Sequence, residues 1–191
     1  MSRKAQTTQR NTTGVITKDN SQLIFFDTPG LNKIEKNIRI SETFKTVAEN
    51  VDVLIYMVDN TKKSQSIDDQ FRNWLNNNEN KFKKKILIIN KIDCIEKVNL
   101  FEITKKINGV INFDETFFIS LSKKSGMERF LNWVEKQAYS NEWLFQQTYK
   151  SNISKKNFLS ELTREKVFEY IHEEIPYNLE INTDYIEPSG N

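Results

Sequence analysis

Three short stretches put polar residues where apolar runs end. Asp27-Thr28-Pro29-Gly30 follows "SQLIFF", Asn90-Lys91-Ile92-Asp93 follows "KILII", and Ser122-Lys123-Lys124 lies just past "ETFFIS". An aspartate at the mouth of an open α/β sheet can hold the water shell of Mg²⁺, and a nearby glycine lets its backbone N–H come close to a γ-phosphate. A carboxylate such as Asp93 can accept two hydrogen bonds from a guanine edge. Adenine presents a different pattern there, so the wrong base leaves polar groups unpaired. The Lys91 stem can pack on a base plane, Asn90 can brace neighbouring loops, and a Ser-x-Lys loop can close over a base through its backbone. Each stretch also has a plain reading: a Pro-Gly turn after a strand, a polar strand-to-helix loop, a solvated basic turn. Their order is what points past the plain readings, because each follows an expected strand with helices between.

Those strands and helices are legible from hydrophobic spacing. "GVIT" (14–17) and "SQLIFF" (21–26) flank a "KDN" turn and predict a hairpin. "VDVLIYMVD" (51–59) and "KILIIN" (85–90) are nearly continuous apolar runs, as strands covered on both faces require, and "ETFFIS" (115–120) predicts a further strand. Helical spacing covers 39–50, with Ile40, Phe44, Val47 and Ala48 on one side, and 66–77, with Ser66 as its cap. Further helices are expected at 98–108 and 127–138. Strands alternating with helices predict a three-layer α/β arrangement on a mostly parallel sheet. Beyond about residue 140 the period is lost, and a connector runs to 157. An amphipathic helix is expected over 158–175, stopped by Pro176, and a half-solvated strand over 177–186.

Composition narrows the classes. The chain has 191 residues, 37% hydrophobic and 28% charged, with a net charge of +2 that argues neither for nor against a polyanionic partner. Runs such as "KFKKK" (81–85) read as solvated faces. The single cysteine, Cys94, excludes an internal disulfide, and the single histidine, His172, excludes a Cys/His metal site. No apolar run approaches the roughly 18 residues of a membrane span. The polar start "MSRKAQTTQR" is not a signal peptide.

The residues also carry a family likeness. "SRKAQTT" (2–8) resembles the switch I segment of the Era family, bacterial GTPases of ribosome assembly, and "DTPGL" and "NKID" resemble its next two boxes. "FLSELTREKVFEYIHEEIPYNLEI" (158–181) resembles the first helix and strand of that family's RNA-binding KH domain, so the likeness covers nearly the whole chain. It implies an α/β fold: an incomplete P-loop GTPase followed by the start of a KH domain. The implied division is a GTPase-like domain at 1–140, a connector at 141–157 and a partial KH-like domain at 158–191. GTP or GDP and Mg²⁺ are the implied cofactors. Thr8 and Asp27 would serve the metal; Asp27, Thr28, Pro29, Gly30 and Leu31 would open switch II. Asn90, Lys91, Ile92 and Asp93 would read guanine, and Ser122, Lys123 and Lys124 would close the base pocket. Gln9 stands where the family usually has Arg, and Lys123 where it usually has Ala. The implied partner is the small ribosomal subunit with its RNA. The likeness further implies a cytoplasmic monomer, peripheral association with the inner membrane, and no DNA partner.

One piece of the pattern is missing from these residues. No G-x-x-x-x-G-K-[ST] run occurs, and none of Gly14, Gly30, Gly109, Gly126 and Gly190 has the required Lys-Ser/Thr partner. In the resembled family that loop precedes switch I, which puts it before Met1; the GxxG loop of a KH domain would likewise lie past Asn191. The expectation is a chain impaired in nucleotide binding and hydrolysis. The other reading is a non-enzymatic remnant of a decayed gene with at most weak RNA or protein binding. Without the strand before the phosphate loop, the strands at 21–26 and 52–58 are left either to pair directly or to form a weak sheet. The purified chain is expected to release no inorganic phosphate from GTP above background. Release that Asp27→Ala abolishes would refute this.

Overall fold

The computed structural model describes residues 12–28, 46–48, 50–59, 69–78, 82–170 and 181–187. In chain order its elements are β1 (Thr12–Lys18), β2 (Ser21–Asp27), β3 (Val53–Asp59), α1 (Asp69–Asn77), β4 (Lys84–Asn90), α2 (Lys97–Asn108), β5 (Glu115–Phe118), α3 (Met127–Glu135) and α4 (Lys155–Tyr170), with a short 3₁₀ turn at Ile92–Cys94. The chain folds as two compact units. One comprises Leu31–Ala138; the other joins Met1–Gly30 to Tyr139–Asn191.

The unit at Leu31–Ala138 is built on a parallel sheet of order β3-β4-β5. Its middle strand explains the order. Ile86, Leu87, Ile88 and Ile89 are all at most 1% exposed, so β4 must be covered on both faces. Successive side chains alternate between the faces. Leu87 and Ile89 cluster with Leu75 of α1, Ile103 and Ile107 of α2, and Ala48, Phe82, Ile111 and Phe113. On β5, Phe117 meets Phe130 and Trp133 of α3 edge-on, with ring centroids 5.5 and 5.6 Å apart. The register pairs Phe117 with Ile88, so this second contact lies on the face opposite Leu87. Helices on both faces of a parallel sheet make the three-layer arrangement that the spacing predicts.

The parallel ladder also fixes where its ends fall. Asp59 is the partner of Asn90 at the carboxyl end of the pair β3·β4. The β4·β5 ladder continues past the regular strands through Ile119 N–H to Ile89 O at 2.9 Å and Ile92 N–H to Ile119 O at 3.3 Å. At the opposite end, Asp114 accepts from the backbone N–H of Lys85 at 2.7 Å and from the Lys84 ammonium at 3.0 Å. Lys83 pairs with Asp52 at 2.6 Å, so part of the basic run at 81–85 is neutralised within its own unit.

The second unit starts with the predicted hairpin. β1 and β2 pair from Thr12↔Asp27 to Lys18↔Ser21, and Asp19 at φ 49 supplies the left-handed residue of the two-residue turn. The connector is more ordered than its lack of period suggests. Val15 N–H donates to Lys150 O at 2.8 Å, Asn152 N–H donates to Thr13 O at 3.3 Å, and Ser151 bridges to Gly14, so the connector covers the outer edge of β1. The Gln22 amide donates to Phe145 O at 2.9 Å and accepts from Phe145 N–H at 3.0 Å. β1 and β2 make a two-stranded sheet of their own, separate from the sheet β3-β4-β5.

Several boundaries differ from the sequence expectation, each for a local reason. α4 begins at Lys155 rather than 158, because the Ser154 hydroxyl accepts from Asn157 N–H at 3.2 Å and caps a start that the polar "SKKN" conceals. Residues 181–187 form no strand, having no ladder partner among the described residues. They lie against α4 through Ser160 and Thr183 hydroxyls 2.8 Å apart. β5 ends at Phe118, two residues early, because Ser120 pairs with Ser125 instead. Of the helix expected at 39–50, residues 46–48 are helical and 39–45 lie outside the described residues, as do the proposed cap Ser66 and residues 171–180.

The Asp114 clamp has a pH signature. The Lys85 backbone N–H, then Lys84, holds its carboxyl below the ordinary 3.8. A carboxyl depressed in the folded state stabilises it above the unfolded value and loses that contribution as pH falls through the folded value. The urea midpoint is therefore expected to drop below about pH 4 in the parent. Asp114→Asn should flatten that part of the profile, and an unchanged profile would contradict the clamp.

Candidate functional site

The carboxyl edge of the parallel sheet gathers two of the three chemistry-bearing stretches. β4 delivers Asn90, which is 5% exposed at its last position. A buried amide must find partners, and Asn90 finds them across the edge. Its Oδ1 accepts from its own loop, Lys91 N–H at 2.8 Å, and from the loop after β5, Leu121 N–H at 3.3 Å. One side chain thus ties the "NKID" loop to the "SLSKKSG" loop.

The second loop is closed on itself. Ser120 and Ser125 exchange two backbone hydrogen bonds of 3.0 Å, and Lys123 N–H donates to the Ser120 hydroxyl at 3.2 Å. The turn needs left-handed backbone at Lys124, φ 53, and again at Gly126, φ 75. A Cβ on Gly126 would stand 2.3 Å from Phe118 O, so only glycine lets the loop return to start α3.

Asp93 stands on the 3₁₀ turn that follows Lys91. The Ser120 hydroxyl is the largest influence lowering its carboxyl from the ordinary 3.8; the charge of Lys123 adds to it. The Ser122 hydroxyl lies 3.1 Å from that of Ser120 and 3.5 Å from Asp93 Oδ2, the outer limit of a hydrogen bond. At neutral pH Asp93 is an exposed, ionised acceptor with hydroxyls beside it. Lys91 turns left-handed, φ 62, and its ammonium pairs with Asp59 at 2.7 Å.

The structure therefore brings together Asn90, Lys91, Ile92, Asp93, Ser122 and Lys123, with Lys124 exposed in the same loop. Asp27 ends β2 in the other compact unit, exposed, with Thr28 half-buried after it. Thr8, Pro29, Gly30 and Leu31 lie outside the described residues. No group of three His, Cys, Asp or Glu that could hold a metal occurs among the described residues. Sequence reasoning missed two contributors. Ser120, 1% exposed, was absorbed into the strand "ETFFIS", although a serine ending an apolar strand is itself a signal. Asp59 gave no signal beyond its place at a strand end.

Residues 1–91 match the family described as 50S ribosome-binding GTPase. GTPase Era of Sinorhizobium medicae is 27% identical over 188 residues, covering 96% of this chain and 59% of that protein. Two solved Era structures superpose with a TM-score of 0.70 at 26% identity: Aquifex aeolicus Era bound to GDP·AlF₄⁻, over 92% of this chain and 60% of that one, and Era with MgGDPNP and nucleotides 1506–1542 of 16S ribosomal RNA, over 93% and 60%.

The chain is similar to the Era GTPases over nearly its whole length.

It has the Era-like α/β fold of P-loop GTPases, and it spans about three fifths of the length of the Era proteins it matches. Gly126→Ala is expected to lower unfolding stability by about 2–4 kcal/mol through the close contact and the left-handed backbone. Urea denaturation measures it, and a loss below about 0.5 kcal/mol would contradict the described loop.

Proposed function

We propose that this chain is an Era-like guanine-nucleotide-binding protein of small-subunit ribosome assembly. The observation that carries the proposal is the pair of loops locked by Asn90, which presents the Asp93 carboxylate beside the Ser120 and Ser122 hydroxyls. An ionised carboxylate only accepts hydrogen bonds. Guanine offers N–H groups at N1 and N2, whereas adenine offers an acceptor at N1, so this edge suits guanine. Asn90 would hold the loops, the Lys91 stem would lie on the base plane, and Ser122, Lys123 and Lys124 would close over it. By the family pattern Asp27, Thr28 and Gly30 would serve the γ-phosphate, and Asp27 with Thr8 the Mg²⁺. A bound Mg²⁺ would supply charge neutralisation to the phosphates.

Solved Era structures that hold GDP·AlF₄⁻, or MgGDPNP with a 16S ribosomal RNA segment, support both the nucleotide and the RNA side of the proposal. The GTPase-like part would be 1–140 and the KH-like, RNA-facing part 158–191, joined by the connector. The proposal places the chain in the cytoplasm; no described helix is long and apolar enough to cross a membrane. It does not include rapid hydrolysis by these 191 residues alone, since they contain no G-x-x-x-x-G-K-[ST] cradle for the β- and γ-phosphates.

A fluorescent GDP titration tests the proposal. Binding is expected to persist without Mg²⁺ and to weaken by about tenfold or more in Asp93→Asn, because the guanine N–H groups then face an amide. The same variant should gain affinity for xanthosine diphosphate, whose C2 carbonyl accepts from that amide. No binding at millimolar GDP, or an Asp93→Asn variant that binds GDP as well as the parent does, would overturn it.

A further inference from the structure

The Lys91–Asp59 pair is not used by the guanine-reading chemistry above. Asp59 and Asn90 are partners at the carboxyl end of the β3·β4 ladder. The chain leaves β4 through Lys91, whose left-handed backbone, φ 62 and ψ 37, lets the side chain return to the neighbouring strand. Its ammonium meets the Asp59 carboxylate at 2.7 Å, and the two side chains keep only 24% and 29% of their exposure. Lys83–Asp52, another ion pair of similar length, is 63% and 47% exposed. Screening by water and salt is weaker for the Lys91 pair.

A free lysine stem is among the most mobile side chains, and ordering it on a ligand costs entropy. Here the charged end is held by a side chain of the protein itself, the Asp59 carboxylate. The four-carbon stem runs from the loop that carries Asp93 towards the end of β3, where Asp59 holds its charge. A base plane laid on that stem would meet an apolar strip.

We propose that Asp59 is a positioning residue for base binding: it holds the Lys91 ammonium so that the Lys91 stem forms a fixed platform for a purine face. This rests on the guanine-nucleotide reading above. It adds a specific consequence: Asp59 acts on affinity through stacking and leaves the choice between guanine and adenine to Asp93.

The test uses the full chain as parent, Asp59→Asn and Asp59→Glu, with fluorescent GDP, competition by GDP and ADP, and the ¹⁵N signal of the Lys91 ammonium. Asp59→Asn is expected to lose the paired ammonium signal and bind GDP about fivefold more weakly. Its guanine-over-adenine preference should be unchanged, and Asp59→Glu should recover part of the affinity. A merely structural staple would shift the melting temperature and leave affinity at a temperature well below it unmoved. Unchanged GDP affinity in Asp59→Asn, with the ammonium signal lost, overturns this proposal and leaves the guanine reading standing. A parent that binds no GDP while its Lys91 ammonium signal shows the pair intact overturns both.

Discussion

A single buried carbonyl oxygen, Asn90 Oδ1, links the two loops on which the candidate site depends. It accepts backbone N–H groups from both Lys91 and Leu121. Losing it would leave two donors unmet at a partly buried edge, at a cost of about 1–3 kcal/mol for each donor that water does not reach. More important for function, the loops would no longer share a register. Asp93, Ser120 and Ser122 are side chains of two segments far apart in sequence, and their proximity is only as good as that link. The link in turn needs β4 and β5 to end at the same level, which the parallel ladder ensures through Ile119 N–H on Ile89 O.

That dependence explains why the sheet core is so strict at β4. Four successive residues are essentially sealed from solvent, two against the α1 and α2 side and two against the side that α3 covers. A central strand of this kind has little freedom to slide, because a one-residue slip would exchange its faces. The constraint travels upward: rigid β4, fixed Asn90, paired loops, presented carboxylate. Gly126 and Lys124 complete it by accepting left-handed backbone where the second loop turns back into α3.

Much of this was legible in the sequence, and the rest had physical reasons to be hidden. Continuous apolar runs announced β3 and β4, and "KDN" announced the hairpin turn. "NKID" after a buried strand announced a polar loop at the carboxyl edge of the sheet. What periodicity could not show was pairing at a distance. Lys91 and Asp59 are 32 positions apart, and Gln22 and Phe145 are 123 apart. Ser120 was hidden for a different reason: hydrophobic alternation marks how far a strand is apolar, not where its ladder gives way to a loop-closing pair. The start of α4 was missed because capping by Ser154 precedes the apolar positions. Asp27 ends β2 in its own unit and Thr28 follows it; their proposed part in the nucleotide site comes from the family pattern.

The account stands on the claim that the loops after β4 and β5 act as one guanine-reading surface. Backbone ¹H–¹⁵N spectra recorded while GDP is titrated into the full chain address it residue by residue. The largest shifts are expected at Lys91, Asp93, Leu121, Ser122 and Lys123, saturating together with one dissociation constant. Saturable GDP binding that leaves those amides in place and moves signals elsewhere would contradict it.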